Sequence, residues 1–168
     1  MAVHFILGGA RSGKSGYAEQ LAAATPDPVC YIATAQIHDA EMQARIAHHQ
    51  AQRPHHWQTL EIDTDLATAL TCQPKGAKVI IDCLTLWLMQ CFATYPPINL
   101  TPVDEFLAAL KSFDGELWMV SNEISMGVVP MGALSRDYVD SLGRLHQQIA
   151  ALADQVTLMV AGIALKVK

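Results

Sequence analysis

Charge is scarce in this chain, and what there is leans acidic. Lys and Arg number 11 against 16 Asp and Glu, a formal net charge of −5. A basic stripe on which a phosphate polymer could lie is missing, so nucleic acid is not expected as the main partner. Charged residues make up 16% and apolar residues 51% of the 168 positions, a balance that excludes a disordered chain. The four cysteines, Cys30, Cys72, Cys83 and Cys91, contain no C-x-x-C pair. They sit in or beside apolar runs, the pattern of buried free thiols in a reducing cytosol, so a cytoplasmic location is expected. No uninterrupted apolar run reaches the roughly 18 residues of a membrane span. The first, short apolar run has no charged segment before it, so a secretory leader is not expected either. Internal repeats and low-complexity tracts are absent. The length suits one domain with its own core, a P-loop nucleotide-binding catalytic domain over 1–168 on the motif that follows.

That motif is Gly8-Gly9-Ala10-Arg11-Ser12-Gly13-Lys14-Ser15. It follows the apolar run Val3–Leu7 and precedes a helical pattern, giving the strand, glycine-rich loop and helix in which G-x-x-x-x-G-K-[ST] forms a phosphate cradle. Glycines let backbone N–H groups converge on phosphate oxygens without a Cβ in the way. The helix N-terminus adds partial positive charge. Lys14 is expected to reach the β- and γ-phosphates and the Ser15 hydroxyl to ligate Mg²⁺.

Along the chain, strands are expected at Val3–Leu7, Val29–Thr34, Trp57–Ile62, Ala77–Ile81, Glu116–Ser121 and Gln155–Ala161, with a short last one at Leu165–Lys168. Helices are expected from Lys14 to about Ala24, Asp39 to about Arg53, Asp63 to Leu70, Cys83 to Phe92, Val103 to Phe113 and Leu134 to Leu152. The stretch from Thr94 to Pro102, with three prolines, reads as a loop. Alternating strands and helices predict an α/β, mostly parallel sheet with helices on both faces. Ligands in such folds bind at the carboxyl ends of the strands. The polar clusters fall there: the phosphate loop, Thr34–Gln36, Asp82 and Ser121–Glu123.

Asp82 ends an apolar strand in the manner of a Walker-B acid and can hold Mg²⁺ directly or through water; the alternative is a helix N-cap. In the Asp39–Arg53 helix, Ile37, Ala40, Ala44, Ala47 and Ala51 form a small apolar stripe. Glu41, Arg45, His48 and Gln52 form a polar ridge beside it. His48 reads two ways there. It is a solvated ridge residue, or it is a nucleophile whose neutral imidazole attacks phosphorus to form a phosphoramidate. Arg45, one turn earlier, would favour the neutral form. The pairs 48/49 and 55/56 lack the i, i+4 spacing of a helical zinc site.

The motif GGARSGKS, then YIAT-x-Q, D-x-E-M-x-x-R-I-x-x-H-H, RP-x-HW, DCLTLW and SNE-x-x-MGVVP occur in order, followed by Arg136, Asp140, Gly143, Gln147 and a GI-x-L-x-x-K ending. This series resembles the bifunctional adenosylcobinamide kinase / adenosylcobinamide-phosphate guanylyltransferase family of cobalamin biosynthesis. The resemblance covers essentially the whole chain. It implies a RecA-like P-loop fold and two reactions: phosphorylation of the hydroxyl of adenosylcobinamide, and transfer of GMP from GTP, through a guanylylated histidine, to adenosylcobinamide phosphate. The family's guanylylated histidine matches His48, and Lys14 matches its P-loop lysine. Its nucleotide contacts match Gly8–Ser15, Ala33, Thr34, Ala35, His49, Gln50, Ala51, Gln52, Glu61 and Asp82, with Ser15 and Asp82 on the metal. GTP or ATP, Mg²⁺ and a corrinoid are the implied ligands, and a homotrimer with sites near subunit boundaries is the implied assembly. The chain departs from the family pattern at Ser125 (usually Gly), Val139 (usually Arg) and His146 (usually Asn). Arg144 and Arg11 are candidates to replace the missing arginine.

Two other functions fit the phosphate loop alone: a small-molecule kinase without guanylyl transfer, and a nucleotide-binding switch module without turnover. The polar ridge around His48 weighs against both.

Overall fold

The computed structural model describes residues 2–24, 26–35, 53–93 and 100–168. In chain order the described elements are β1 (Ala2–Gly8), α1 (Lys14–Ala22), β2 (Val29–Ala33), β3 (Gln58–Glu61), α2 (Leu66–Thr71) and β4 (Ala77–Asp82). They continue with α3 (Leu84–Ala93), α4 (Thr101–Ser112), β5 (Gly115–Asn122), α5 (Ala133–Leu152), β6 (Gln155–Val160) and β7 (Ile163–Lys166). The expected helix from Asp39 lies outside the described residues except for its last residue, Arg53. His48, His49, Gln50, Ala51 and Gln52 therefore lie outside them as well.

The strands form one sheet in the order β3-β2-β4-β5-β1-β6-β7. Every pairing is parallel except β6 with β7, which is an antiparallel hairpin. Its reversal is made by Ala161 and Gly162, both at positive φ (51° and 81°). The apolar run from β1 is followed by a long excursion. The chain goes to β2 on one side, builds β3, β4 and β5 back toward β1, then crosses to β6 on the other side. Such a reversal of winding direction leaves a crevice at the carboxyl ends of β1 and its neighbours, where an α/β sheet binds ligands.

Residues along each central strand alternate between two cores. Val3, Phe5, Val79, Ile81, Leu117 and Met119 face one core with Leu84, Trp87 and Leu88 of α3, Phe106 and Leu110 of α4, and Leu142, Leu145 and Ile149 of α5. Ile6, Tyr31, Ile80, Trp118 and Val120 face the other with Ala18 and Ala22 of α1. Helices therefore cover both faces, and the continuous apolar runs of β1, β4 and β5 follow from burial on both sides.

The expected helices shift by a few residues for local reasons. α2 begins at Leu66, not near Asp63, because Asp65 is its N-cap and accepts from the Thr68 N–H at 3.0 Å. The expected loop up to Pro102 gives way to helix at Thr101. Pro102 lies in the first turn, where its missing N–H costs nothing. α1 stops at Ala22 and β2 at Ala33. The last strand begins at Ile163, earlier than its expected start at Leu165.

Candidate active site

The phosphate loop joins the carboxyl end of β1 to α1. Gly8 has φ +155°, and a Cβ there would stand 2.5 Å from the Met159 carbonyl oxygen and 2.6 Å from Ser12 Oγ. Strand β6 thus presses on the start of the loop, and only glycine fits. Gly13 caps α1 at φ 93° in the left-handed region, without a side-chain cap on the first turn. That turn also carries no acidic residue, so its N–H groups and helix dipole are suited to meet an anion. Arg11 also holds a positive φ, 55°. The Gly162 N–H donates to the Ser12 carbonyl at 3.0 Å, which braces the loop from the β6–β7 turn.

Lys14 is buried beneath this loop. Its Nζ donates to the Gly9 carbonyl at 2.6 Å and lies 3.4 Å from Ser12 Oγ. Burial pushes the ammonium below its ordinary pKa, while the Asp82 carboxylate opposes that shift. The lysine charge is therefore placed in a partly desolvated loop, where its pull on a phosphate oxygen is stronger than in water.

Asp82 ends β4, two strands from β1, about 10 Å across the sheet at ~4.8 Å per strand. Its Oδ2 accepts from Tyr31 Oη at 2.6 Å. Burial, then the Asp82 carboxylate, pushes the Tyr31 phenol far up, so it remains a donor. The Arg53 guanidinium lies 3.4 Å from the centroid of the Tyr31 ring, with its Nε 3.4 Å from Glu19 Oε1. One carboxylate oxygen of Asp82 is thus held by Tyr31, and the other remains to meet a cation. A hard oxygen donor at a strand end within electrostatic reach of the phosphate-loop lysine is of the kind that suits Mg²⁺, which takes few protein ligands and relies on phosphate and water for the rest. Among the described residues there is no cluster of three or more His, Cys, Asp or Glu side chains that could hold a metal ion.

Thr34 is fully buried. Its Oγ1 donates to the Cys83 carbonyl and accepts from the Cys83 N–H, both at 2.7 Å. It thereby fixes the end of β2 to the chain just past Asp82. The Asp82–Cys83 peptide is cis. Burial raises the Cys83 thiol to about 12, so it is neutral and not a nucleophile. Glu61, at the end of β3, stands at the sheet margin opposite Ala33. It shares the carboxyl edge with the phosphate loop but is four strands from β1, roughly 19 Å at the usual spacing.

The structure therefore brings together Gly8–Ser15 and Asp82. It places Ala33 and Thr34 one strand beyond, and sets Glu61 apart from the loop. Tyr31 and Arg53 were not among the site residues expected from sequence. Both occur within segments that carry the family resemblance, YIAT and RP-x-HW, which was the signal available for them.

Comparison with known proteins identifies the family of the chain and the kind of fold it has. The family model described as cobinamide kinase / cobinamide phosphate guanyltransferase matches residues 4–167. The bifunctional adenosylcobalamin biosynthesis protein CobP of Pseudomonas aeruginosa is 48% identical over 165 residues, covering 97% of this chain and 95% of its own. The bifunctional adenosylcobalamin biosynthesis protein CobU of Salmonella typhimurium is 38% identical over 179 residues, covering 97% and 98%. Its Escherichia coli counterpart is 36% identical with the same coverage, 97% and 98%. Among solved structures, an ATPase of a type III secretion system superposes with a TM-score of 0.58 at 9% identity, covering 98% of this chain and 56% of that one. A protein from Pyrococcus horikoshii OT3 gives a TM-score of 0.55 at 10% identity, covering 99% and 86%. These two likenesses concern the fold.

Proposed function

The chain belongs to the cobinamide kinase / cobinamide phosphate guanyltransferase family, a bifunctional enzyme of cobalamin biosynthesis, and on that premise we propose how its residues divide the two reactions. In the kinase reaction the Gly8–Ser15 loop and Lys14 hold the β- and γ-phosphates of ATP or GTP while the hydroxyl of adenosylcobinamide attacks the γ-phosphorus. In the guanylyl transfer, a ring nitrogen of His48 attacks the α-phosphorus of GTP. The bond to the β-phosphate oxygen breaks and pyrophosphate leaves. A phosphate oxygen of adenosylcobinamide phosphate then attacks the same phosphorus, the P–N bond breaks, and adenosylcobinamide-GDP is released with His48 restored.

Ser15 and Asp82 would hold Mg²⁺, which supplies charge neutralisation on the phosphates. Ala33–Ala35, His49–Gln52 and Glu61 are assigned to nucleotide contact; within the first of these the Thr34 hydroxyl is engaged with Cys83 and its N–H with the Asp82 carbonyl, so its part is to fix the end of β2. The whole of 1–168 is read as one catalytic unit. No helix among the described residues is long and apolar enough to cross a membrane; a cytoplasmic enzyme that acts on small molecules and not on nucleic acid is the proposed setting. A homotrimer is the proposed assembly. It is supported by Val160, Ile163, Leu165 and Val167, each more than half exposed along the β6–β7 hairpin, since an apolar open sheet edge is a surface that proteins ordinarily cover. A gel-filtration mass of one subunit would contradict the trimer.

The observation that carries this reading is Lys14 folded under the glycine loop within electrostatic reach of Asp82. Incubation with adenosylcobinamide and ATP or GTP, followed by mass analysis of the corrinoid, tests it. The expected products are the phosphate and then the GDP adduct. Phosphate alone would mean a kinase without guanylyl transfer, and nucleotide binding without either product would mean a switch module.

A further inference from the structure

Glu123 has no part in the nucleotide cradle, yet it is held with unusual care. It follows directly on β5, the strand between β1 with its phosphate loop and β4 with Asp82. Its backbone N–H donates to the Gly8 carbonyl at 3.0 Å, so its Cα stands over the first residue of the loop. Its carboxylate is mostly buried. Oε1 accepts from the Ser125 N–H at 2.6 Å and from the Ser125 hydroxyl. Oε2 lies 3.7 Å from Nδ1 of His146 on α5, an electrostatic contact longer than a closed hydrogen bond. A carboxylate has about four acceptor sites, so these three partners leave capacity for one more proton.

Behind Glu123 runs a polar chain into the core. His146 Nε2 is 2.8 Å from Ser121 Oγ, Ser121 Oγ is 3.0 Å from Thr85 Oγ1, and Thr85 Oγ1 accepts from the Asn122 N–H at 2.7 Å. Ser121, Thr85 and His146 are all buried. The carboxylate beside Nδ1 fixes the tautomer: a lone pair facing Oε2 would be repelled, so the hydrogen is on Nδ1. Nε2 then accepts from Ser121, whose oxygen accepts from Thr85. Each hydroxyl donates once along this chain, with no reversed link. The chain ends three residues past Asp82, at the start of α3. The buried network thereby ties the carboxylate to the elements on either side of the phosphates.

We propose that Glu123 is the carboxylate that takes the proton of the acceptor hydroxyl in the kinase reaction, and that His146 is its positioning residue. The inference rests on the kinase reading above. As the hydroxyl oxygen bonds to the γ-phosphorus, the bond from that phosphorus to the β–γ bridging oxygen breaks. The nucleoside diphosphate leaves, and the hydroxyl proton passes to Glu123. His146 acts at a distance from the substrate by orienting the carboxylate. Asn places its amide where Nδ1 stands and keeps the contact with Glu123. Gln places its amide where Nε2 stands and keeps only the contact with Ser121.

Steady-state kinase kinetics of the full chain with adenosylcobinamide, alongside nucleotide Kd, test the assignment on Glu123→Gln, His146→Asn and His146→Gln. Expected is a fall of about 100-fold or more in kcat for Glu123→Gln, with nucleotide Kd and corrinoid KM held within about threefold. His146→Asn is expected to keep kcat within about threefold, and His146→Gln to lose about tenfold, again in kcat and not in KM. A Glu123→Gln enzyme that turns over like wild type, or loses only affinity, would overturn the proposal. So would equal losses in the two His146 variants, which a merely structural role predicts. If Glu123→Gln does not fold, the Asn-against-Gln contrast decides. No wild-type turnover at all would refute the kinase reading itself, whereas an active wild type with an equally active Glu123→Gln refutes only the base.

Discussion

Tyr31 donates its phenolic hydrogen to Asp82 across adjacent parallel strands, at 2.6 Å. The register makes this possible. Ala33 stands opposite Asp82 and Tyr31 opposite Ile80, so Tyr31 and Asp82 are diagonal neighbours on one face of the sheet, within reach of a long aromatic side chain. The bond leaves one Asp82 oxygen for a cation and fixes the direction in which it points. Arg53 over the ring completes a stack that joins α1, through Glu19, to the Asp82 carboxylate.

Tyr31→Phe therefore keeps the ring and the Arg53 contact but releases the carboxylate. A hydrogen bond to a charged group contributes about 1.5–3 kcal/mol. We expect a lower melting temperature and a several-fold higher Mg²⁺ concentration for half-maximal nucleotide binding, on the order of tenfold at most. A titration of bound fluorescent nucleotide against Mg²⁺ that superimposes on wild type would contradict the role.

The two adjacent glycines at the start of the loop differ in a way that stability measurements resolve. A methyl group on Gly8 meets the Met159 carbonyl and Ser12 Oγ, while one on Gly9 meets no protein atom within 4 Å. Gly8→Ala is expected to cost more than about 2 kcal/mol, as backbone overpacking does, and so to lower the melting temperature by roughly 5 °C or more. Gly9→Ala is expected to melt within about 1 °C of wild type in the absence of nucleotide. Equal melting temperatures for the two would show that β6 does not press on the loop.

Burial holds the His146 imidazole below its ordinary pKa, with Glu123 opposing. Ser121, the Phe5 ring and Glu123 are its recorded neighbours. The unfolded chain, with imidazole near ~6.5, then binds more protons than the folded chain as pH falls. The contribution of a neutral His146 is present above that value and is lost below it. Thermal melts between pH 8 and 5.5 should therefore show wild type losing more stability than His146→Asn. Parallel curves would mean that the imidazole titrates alike in both states.

The thiols should separate kinetically. Cys72 is exposed, whereas Cys83 and Cys91 are buried with pKa values raised by burial to about 12 and about 11. A disulfide reagent at pH 8 should modify one thiol rapidly in the native protein, and Cys72→Ser should abolish that phase. A rapid phase that survives Cys72→Ser would contradict this burial pattern.

The phosphate loop and Asp82 were legible in the sequence because their information is local. Eight consecutive residues specify a strand-to-helix cradle, and an apolar run ending in Asp specifies a strand-end acid. The parallel sheet was legible from the alternation of strand and helix. Tyr31, Thr34 and Arg53 were not legible as a unit, since their partnership depends on β2 lying beside β4. Strand order is not written in hydrophobic periodicity. The same holds for His146: it stood out as a departure from the family pattern, but its bond to Ser121 and its approach to Glu123 arise from α5 packing against β1 and α3. The start of α4 was missed because proline reads as a loop former, although it is tolerated in the first turn of a helix. The expected histidine helix lies outside the described residues except for Arg53.

The central claim is the covalent guanylyl carrier, and GTP labelled at the α-phosphate tests it most directly. Wild type and His48→Ala are incubated with labelled GTP and Mg²⁺ without corrinoid, denatured, and examined for label on the chain. The account predicts label on wild type that is acid-labile and base-stable, as a phosphoramidate is, and none on His48→Ala although that variant still binds GTP. Equal labelling of both proteins, or none on a wild type that binds GTP, would contradict it.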